Sequence, residues 1–186
     1  MNRKKILFLA SITLILFPLP VFIFFYYSES KSILDLLQLN TFGIIQIGYG
    51  LQFGFVYAFF ANLLLKSRLF DKLPLKIDEI IKSMNLSYLD ALFISFCAGF
   101  GEEILFRVGI QHYLGVIITS VFFVAIHGYL NPFNWRFSIY GLIVLPFILL
   151  LSYGFESFGL WFAIAAHFSY DAVLLIAQVK PKQKTS

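Results

Sequence analysis

The main pattern in this chain is a series of long apolar runs separated by short charged segments. A run of about 17–25 mostly apolar residues is long enough to cross a bilayer as a helix. The pattern predicts six such helices, at residues 5–27, 42–65, 88–111, 114–131, 137–153 and 158–179. Pro18 and Pro20 are expected to bend the first helix, because proline cannot donate a backbone hydrogen bond. We therefore predict an all-α, polytopic integral membrane protein with one membrane domain over residues 1–186.

Composition supports this interpretation. The chain is 60% hydrophobic, whereas soluble domains are about 45–50% apolar. Its net charge of +4 comes from residues spread between the apolar runs, so nucleic acid is not expected as a partner. The single cysteine, Cys97, excludes a disulfide within the chain.

The distribution of basic residues predicts the orientation of the helices. With the N-terminus in the cytoplasm, all Lys and Arg residues except Lys31 and Arg107 fall in cytoplasmic segments. Such an excess of Lys and Arg is typical of the cytoplasmic side. We therefore predict a multi-pass protein of the cell membrane with both termini in the cytoplasm. Residues 66–87 mix apolar and charged positions and are expected to form an amphipathic helix on the cytoplasmic surface.

Three charged residues, Glu102, Glu103 and Arg107, interrupt the third predicted span. A charge near the bilayer centre costs about 3 to more than 10 kcal/mol and usually marks function. Glu103 and Arg107 are four residues apart, which favours an ion pair on one helix face. Glu102 is rotated by about 100° from Glu103 and cannot share that contact. We therefore expect a structural Glu103–Arg107 pair and a Glu102 side chain that faces a cavity.

Further ionisable side chains recur at helical spacing. His127 follows Phe123 by one turn, and Asp171 follows His167 by one turn. Together with Glu102, they form a set able to bind and deprotonate a water molecule. Either the carboxylate acts as general base while the imidazoles polarise a carbonyl, or His127, His167 and Asp171 hold a metal ion such as zinc.

The depths of these residues test whether they can meet. On straight helices, Glu102 and His127 would lie about 11 Å apart in depth, and side chains that lean toward their helix N-termini would close part of that gap. Gly99 and Gly101 could shift or break the third helix and close the rest. Tyr113, Tyr129, Trp135 and Trp161 are expected at the membrane interfaces, where amphipathic rings are enriched.

Three motifs occur in order along the second half of the chain: EExxxR at Glu102-Glu103-Ile-Leu-Phe-Arg107, FxxxH at Phe123–His127 and HxxxD at His167–Asp171. In this order they resemble the CPBP (Abi) family of intramembrane proteases. That family includes the type II CAAX prenyl endopeptidases and proteins linked to bacteriocin processing and self-immunity. The resemblance covers residues 88–179.

The resemblance implies an intramembrane endopeptidase acting on a membrane-embedded or lipidated peptide or protein. Glu102 would be the general base, and His127 and His167 would polarise the substrate carbonyl or, with Asp171, hold zinc. Glu103 and Arg107 would hold their helix in place. The mechanism would be either metal-dependent or metal-free.

One departure and two alternatives accompany this hypothesis. CAAX-processing members carry Asn at the position of Asp171, so the prenylated substrate is not carried over to this chain. A non-catalytic immunity or scaffold protein of the same family could keep the polar cluster to hold helices together. A proton-coupled transporter could use the same residues as a relay, although the chain lacks the paired broken segments typical of transporter halves.

Overall fold

A computed structural model describes residues 3–66, 84–130 and 135–179. All regular structure in these ranges is helical. The helices are α1 (Arg3–Leu16), α2 (Pro18–Glu29), α3 (Ile33–Leu36), α4 (Ile44–Leu65), α5 (Tyr88–Glu103), α6 (Gln111–Ile126), α7 (Trp135–Phe158) and α8 (Leu160–Ile176). A 3₁₀ turn covers Leu39–Thr41, and a π-helical segment, Ile104–Ile110, joins α5 to α6. The predicted all-α membrane fold is confirmed.

Among the described residues, four helical stretches are long and apolar enough to cross a bilayer: Arg3–Glu29, Ile44–Leu65, Tyr88–Ile126 and Tyr140–Phe158. The apolar helix Leu160–Ile176 is slightly shorter. The first stretch is divided at Phe17, and Pro18 begins the second half as its first helical residue. This position tolerates proline because the first backbone N–H groups of a helix have no partner within that helix.

The 39-residue stretch Tyr88–Ile126 folds back on itself at Gly115. Gly115 has φ +70° and ψ 175°, a conformation that interrupts the helix and favours glycine. The Phe106 and Phe123 rings then meet at 4.7 Å, although the residues are 17 positions apart. The stretch is therefore a helical hairpin, and its two arms correspond to the predicted third and fourth spans.

Neighbouring contacts fix the relative directions of the helices. The ion pair of Arg3 with Asp90 and the close approach of Thr13 to Gly101 make α1 and α5 parallel. The second arm of the hairpin runs antiparallel to α7, because Ser120 contacts Ser152 near one end. At the other end of this pair, Gly141 packs against Tyr129.

Two further pairs complete this pattern. Only Gly159 separates α7 from α8, and the stacking of Phe147 on Tyr170 shows that these helices are antiparallel. In contrast, α4 and α8 are parallel, because Gly50 packs against Phe162 and Gly54 packs against Ala166. Such alternation is what six successive crossings require. The six-span count and the cytoplasmic placement of the termini stay predictions.

Three expectations about the helices are revised or lie outside the described residues. The fifth predicted span, which is α7, extends to Phe158 rather than ending at residue 153, so almost no loop precedes α8. Gly99 and Gly101 neither shift nor break the third predicted span, which begins as α5. Gly99 lets this helix approach α8 and Gly101 lets it approach α1, whereas the π-helical irregularity begins at Ile104. The predicted amphipathic segment 66–87 lies mostly outside the described residues.

Candidate active site

A buried ion pair forms the inner layer of the site. Arg107 Nε donates to Glu103 Oε2 at 2.8 Å, and neither side chain is exposed. The same guanidinium donates through Nη1 to Gln111 Oε1 at 3.2 Å and to Ser152 Oγ at 2.5 Å. The pair therefore links the first arm of the hairpin to α7, as a buried charge requires several partners.

His167 connects this inner layer to the cavity. Its Nδ1 lies 2.7 Å from Glu103 Oε1, and its Nε2 lies 3.4 Å from Asp171 Oδ2. Both ring nitrogens therefore face carboxylates, an arrangement that favours a proton on each nitrogen. Because Glu103 holds one nitrogen, the orientation of the His167 ring is fixed by the ion-pair layer.

Glu102 and His127 form a second pair. Glu102 Oε2 lies 3.5 Å from His127 Nε2. On the opposite side of the ring, His127 Nδ1 lies 2.7 Å from the carbonyl oxygen of Phe123. Because a carbonyl only accepts, Nδ1 carries a proton in this contact, and Nε2 faces the Glu102 carboxylate. The ring also stacks on Phe123 at 4.2 Å, which limits its rotation.

The Glu102–His127 and His167–Asp171 pairs line one cavity of about 170 Å³, called the site cavity below. Its wall also includes a set of aromatic and aliphatic residues: Phe123, Tyr129, Tyr140, Val144, Phe147, Ile148, Tyr170 and Leu174. Side-chain exposure is 14% for Glu102, 29% for Asp171 and 31% for His127. The cavity is thus reached from outside the protein, and its carboxylates and one imidazole are accessible.

Each predicted site residue therefore has a defined place. The cavity brings together Glu102, His127, His167 and Asp171, while Glu103 and Arg107 lie behind it as a buried pair. Glu102 contacts His127 but has no recorded contact with His167. The roles of these residues stay predictions.

The donor set predicted for a metal was tested on this geometry. Within residues 3–66, 84–130 and 135–179, no three His, Cys, Asp or Glu side chains are arranged to hold a metal ion. His127, His167 and Asp171 do not meet around a common point, and His127 turns Nδ1 toward a carbonyl. The described residues therefore do not fit zinc in this arrangement.

The sequence missed several residues of the site. Tyr129, predicted at the membrane interface, lines the site cavity together with Tyr140 and Tyr170. The contact of Glu103 with His167 was also missed. The position of Tyr170, three residues after His167, was a usable signal, because residues three apart share a helix face. The position of Tyr140 at the cavity and the contact of Glu103 with His167 depend on packing between helices, which no sequence pattern indicates.

Comparison with known proteins agrees with the geometry. The family model described as type II CAAX prenyl endopeptidase Rce1-like matches residues 84–173. This segment, slightly less than half of the chain, is similar to the Rce1-like family. It contains all three motifs and all the residues placed around the site cavity except Leu174. The similarity implies an intramembrane endopeptidase of the CAAX type in general terms, and hence a substrate embedded in a lipid bilayer. Neither a curated protein nor a solved structure matches the chain.

Proposed function

We propose that this protein is an intramembrane endopeptidase in which Glu102 activates the hydrolytic water. The observation that carries the proposal is the position of the Glu102 carboxylate, 3.5 Å from Nε2 of His127 on an accessible cavity. A water molecule in the cavity can donate a hydrogen bond to this carboxylate, which holds the water with a lone pair free for attack. Glu103 lacks this freedom, because Arg107 and His167 occupy it.

The proposed reaction balances without a cofactor. The water oxygen attacks the scissile carbonyl carbon, and its proton moves to the Glu102 carboxylate. The C–N bond then breaks, and the same proton passes from Glu102 to the leaving nitrogen. The remaining proton on the former water oxygen leaves as the new carboxyl group ionises. One glutamate thus serves as general base and then as general acid.

The developing oxyanion needs hydrogen-bond donors that are already in place. His167 meets this need, because Glu103 and Asp171 favour a proton on each of its nitrogens. On substrate binding, the carbonyl oxygen would replace Asp171 as the acceptor for the Nε2–H of His167. The contact with Asp171, at 3.4 Å, is longer than the contact with Glu103, at 2.7 Å, and is therefore the easier one to exchange.

The proposed substrate is a membrane-embedded or lipidated peptide in the cell membrane. An apolar cavity of about 390 Å³ lies between α4 and α7 and includes Tyr57 and Ile143 in its wall. Tyr57 packs against Phe147 and Tyr170, which line the site cavity, at 5.1 and 6.1 Å between ring centroids. We infer that an apolar segment of the substrate lies in this cavity while the scissile bond enters the site.

A non-catalytic scaffold is the second candidate, and the buried network around Arg107 favours it. Glu103, Arg107, Gln111 and Ser152 would hold helices together whether or not hydrolysis takes place. Glu102 and His127 are not part of that network, so the two functions make different demands on them.

Substitution of Glu102 by Gln separates these functions. The purified protein and the variant would be placed in proteoliposomes with a degenerate library of single-span peptides, and mass spectrometry would identify cleaved bonds. We expect Glu102→Gln to lower cleavage by about 10²–10⁴-fold, the contribution of a general base, without a change in melting temperature. Glu156→Gln is the matched control, because Glu156 is exposed and does not line the site cavity.

Equal cleavage by the parent and Glu102→Gln, or no cleavage by either, would refute the catalytic proposal. Metal analysis of the same samples tests the mechanism: a stoichiometric metal whose removal abolishes cleavage would contradict the metal-free reaction.

A further inference from the structure

A tight turn follows the histidine at the end of α6. His127 is the C-cap residue of that helix, and Gly128 has φ +79°, the left-handed conformation that favours glycine. The N–H of Gly128 donates to the carbonyl of Ala125 at 2.9 Å, and the N–H of Tyr129 donates to the carbonyl of Val124 at 3.1 Å. These two bonds form the Schellman arrangement of a helix C-terminus. The backbone of Tyr129 is therefore fixed relative to that of His127.

The turn places the Tyr129 ring beside the His127 imidazole. The two rings are nearly parallel, with an angle of 9° between their planes and 6.1 Å between their centroids. Aromatic rings pack favourably in parallel, offset positions at centroid distances of about 4.5–7 Å. Phe123 stacks on the same imidazole at 4.2 Å. Aromatic rings that come before and after His127 in the sequence therefore both pack near it.

The next helix, α7, holds Tyr129 in turn. The Tyr129 ring packs on the ring of Tyr140 at 5.0 Å between centroids. Its carbonyl group lies so close to Gly141 that a Cβ on this glycine would overlap the carbonyl oxygen. Neither contact can change unless the turn or α7 moves. Tyr129 is therefore supported by two helices, and its ring lines the site cavity.

The imidazole of His127 requires support of this kind. Its Nε2 faces Glu102 while its Nδ1 donates to the carbonyl of Phe123. Burial alone does not fix this orientation, because 31% of the His127 side chain is exposed. A rotation of the ring about its Cβ–Cγ bond would break both contacts at once. The Glu102 carboxylate would then lose its contact with the imidazole.

We propose that Tyr129 is a positioning residue for the proposed reaction, and that its ring holds the His127 imidazole with Nε2 toward Glu102. This role rests on the proposed function and adds a residue that none of the three motifs contains. Tyr129 acts through His127 and takes no part in proton transfer. Because the aromatic ring makes the contact, we expect the hydroxyl group to be dispensable.

The hold on the His127 ring is measured first, without cleavage. Magnetic resonance of protein with isotope-labelled histidine, in detergent micelles, detects protons on the ring nitrogens, and His127→Gln identifies the His127 signals by their loss. The exchange of a hydrogen-bonded proton with water reports how often its bond opens. Tyr129→Leu should speed the exchange of the Nδ1 proton at least about tenfold. Tyr129→Phe, which keeps the ring, should leave it within about threefold of the parent.

Cleavage of one peptide from the library supplies the second measurement. Tyr129→Leu should lower kcat at least about tenfold, because small displacements of catalytic groups have large effects on rate. Its KM should stay within about twofold of the parent, because the role concerns His127 and not substrate binding. Tyr129→Phe should retain kcat within about threefold. Tyr153→Leu is the matched control, because Tyr153 is exposed and does not line the site cavity.

Gly141→Ala tests the same role independently. It displaces the backbone of Tyr129 and leaves the side chains of the cavity unchanged. It should reproduce both the faster exchange and the lower kcat. Gly48→Ala controls for an added methyl group, because a Cβ on Gly48 would meet no atom within 4 Å. Melting temperatures show that the compared variants are folded.

The possible results distinguish the two proposals. Parental exchange of the His127 proton in Tyr129→Leu overturns the positioning role, even when cleavage confirms the protease. Faster exchange in a protein that cleaves no peptide supports the hold on His127 and refutes the protease. An equal loss of kcat in Tyr129→Phe and Tyr129→Leu also overturns the role, because the hydroxyl group would then be responsible. A rise in KM as large as the fall in kcat overturns it as well, since Tyr129 would then act by binding substrate.

Discussion

The Nδ1 atom of His167 lies 2.7 Å from Oε1 of Glu103. The second glutamate of the EExxxR motif therefore contacts two residues, Arg107 and the site residue His167. This contact changes the interpretation of the motif. Glu103 does not merely neutralise the arginine; it also fixes the ring whose other nitrogen faces the site cavity. The packing of the hairpin and the orientation of His167 are therefore coupled through one carboxylate.

The first prediction concerns this carboxylate. Glu103→Gln should destabilise the protein by about 3–5 kcal/mol, because it leaves the buried Arg107 charge without its anionic partner. The double variant Glu103→Gln/Arg107→Gln should be less destabilised than the single variant Glu103→Gln, since it leaves no unpaired Arg107 charge in the protein interior. Thermal unfolding in detergent measures both effects, with Glu156→Gln as the exposed control. A melting temperature equal to that of the parent for Glu103→Gln would show that the pair does not contribute to stability.

Much of the fold could be predicted because apolar runs of sufficient length have few alternatives in lipid. The Glu103–Arg107 pair was equally predictable, since residues four apart on one helix must be neighbours. The length of α7 was not predicted: the predicted span ended at residue 153, whereas the helix continues through Glu156 to Phe158. In the structure Ser152 and Glu156 lie on the helix face that meets Arg107 and Gln111.

The parts of the site that the sequence could not predict depend on contacts between helices. The motifs placed Glu102, His127, His167 and Asp171 in one region, but they did not show which carboxylate meets which imidazole. That pairing depends on the hairpin at Gly115 and on the π-helical segment after Glu103. π-helical turns are rare and often occur at functional sites, and the apolar sequence Ile104–Phe106 gave no sign of one.

The second prediction tests the hairpin. Gly115→Ala should destabilise the protein by about 1–3 kcal/mol, because alanine is strained at φ +70°. A Cβ at this position would meet no atom within 4 Å, so the effect would come from the backbone alone. Gly48→Ala is the matched control: it also has open space around it, but it lies within α4, where alanine favours the helix. Melting temperatures of the two variants would be compared, and equal values would contradict the strained turn.

The third prediction concerns the contact between α4 and α8. A Cβ on Gly54 would overlap the carbonyl group of Ala166, which is backbone and cannot rotate away. Gly54→Ala should therefore push α4 away from the helix that carries His167 and Asp171. We expect lower stability and at least about tenfold lower cleavage, because small displacements of catalytic groups have large effects on rate. Retention of parental stability and cleavage would show that the two helices do not depend on this contact, and Gly48→Ala again controls for a methyl group on α4.

The fourth prediction places the termini in the cytoplasm, as the distribution of basic residues indicates. Cys97 is the only cysteine and is buried, so Cys97→Ala provides a background without thiols. In that background, Ser30→Cys after α2 should react with a membrane-impermeant maleimide in intact cells, because Ser30 is exposed and predicted to lie outside. Ser186→Cys should react only after the membrane is permeabilised. Labelling of Ser186→Cys but not Ser30→Cys in intact cells would reverse the predicted orientation. Labelling of both would contradict the odd number of crossings, five, predicted between Ser30 and the C-terminus.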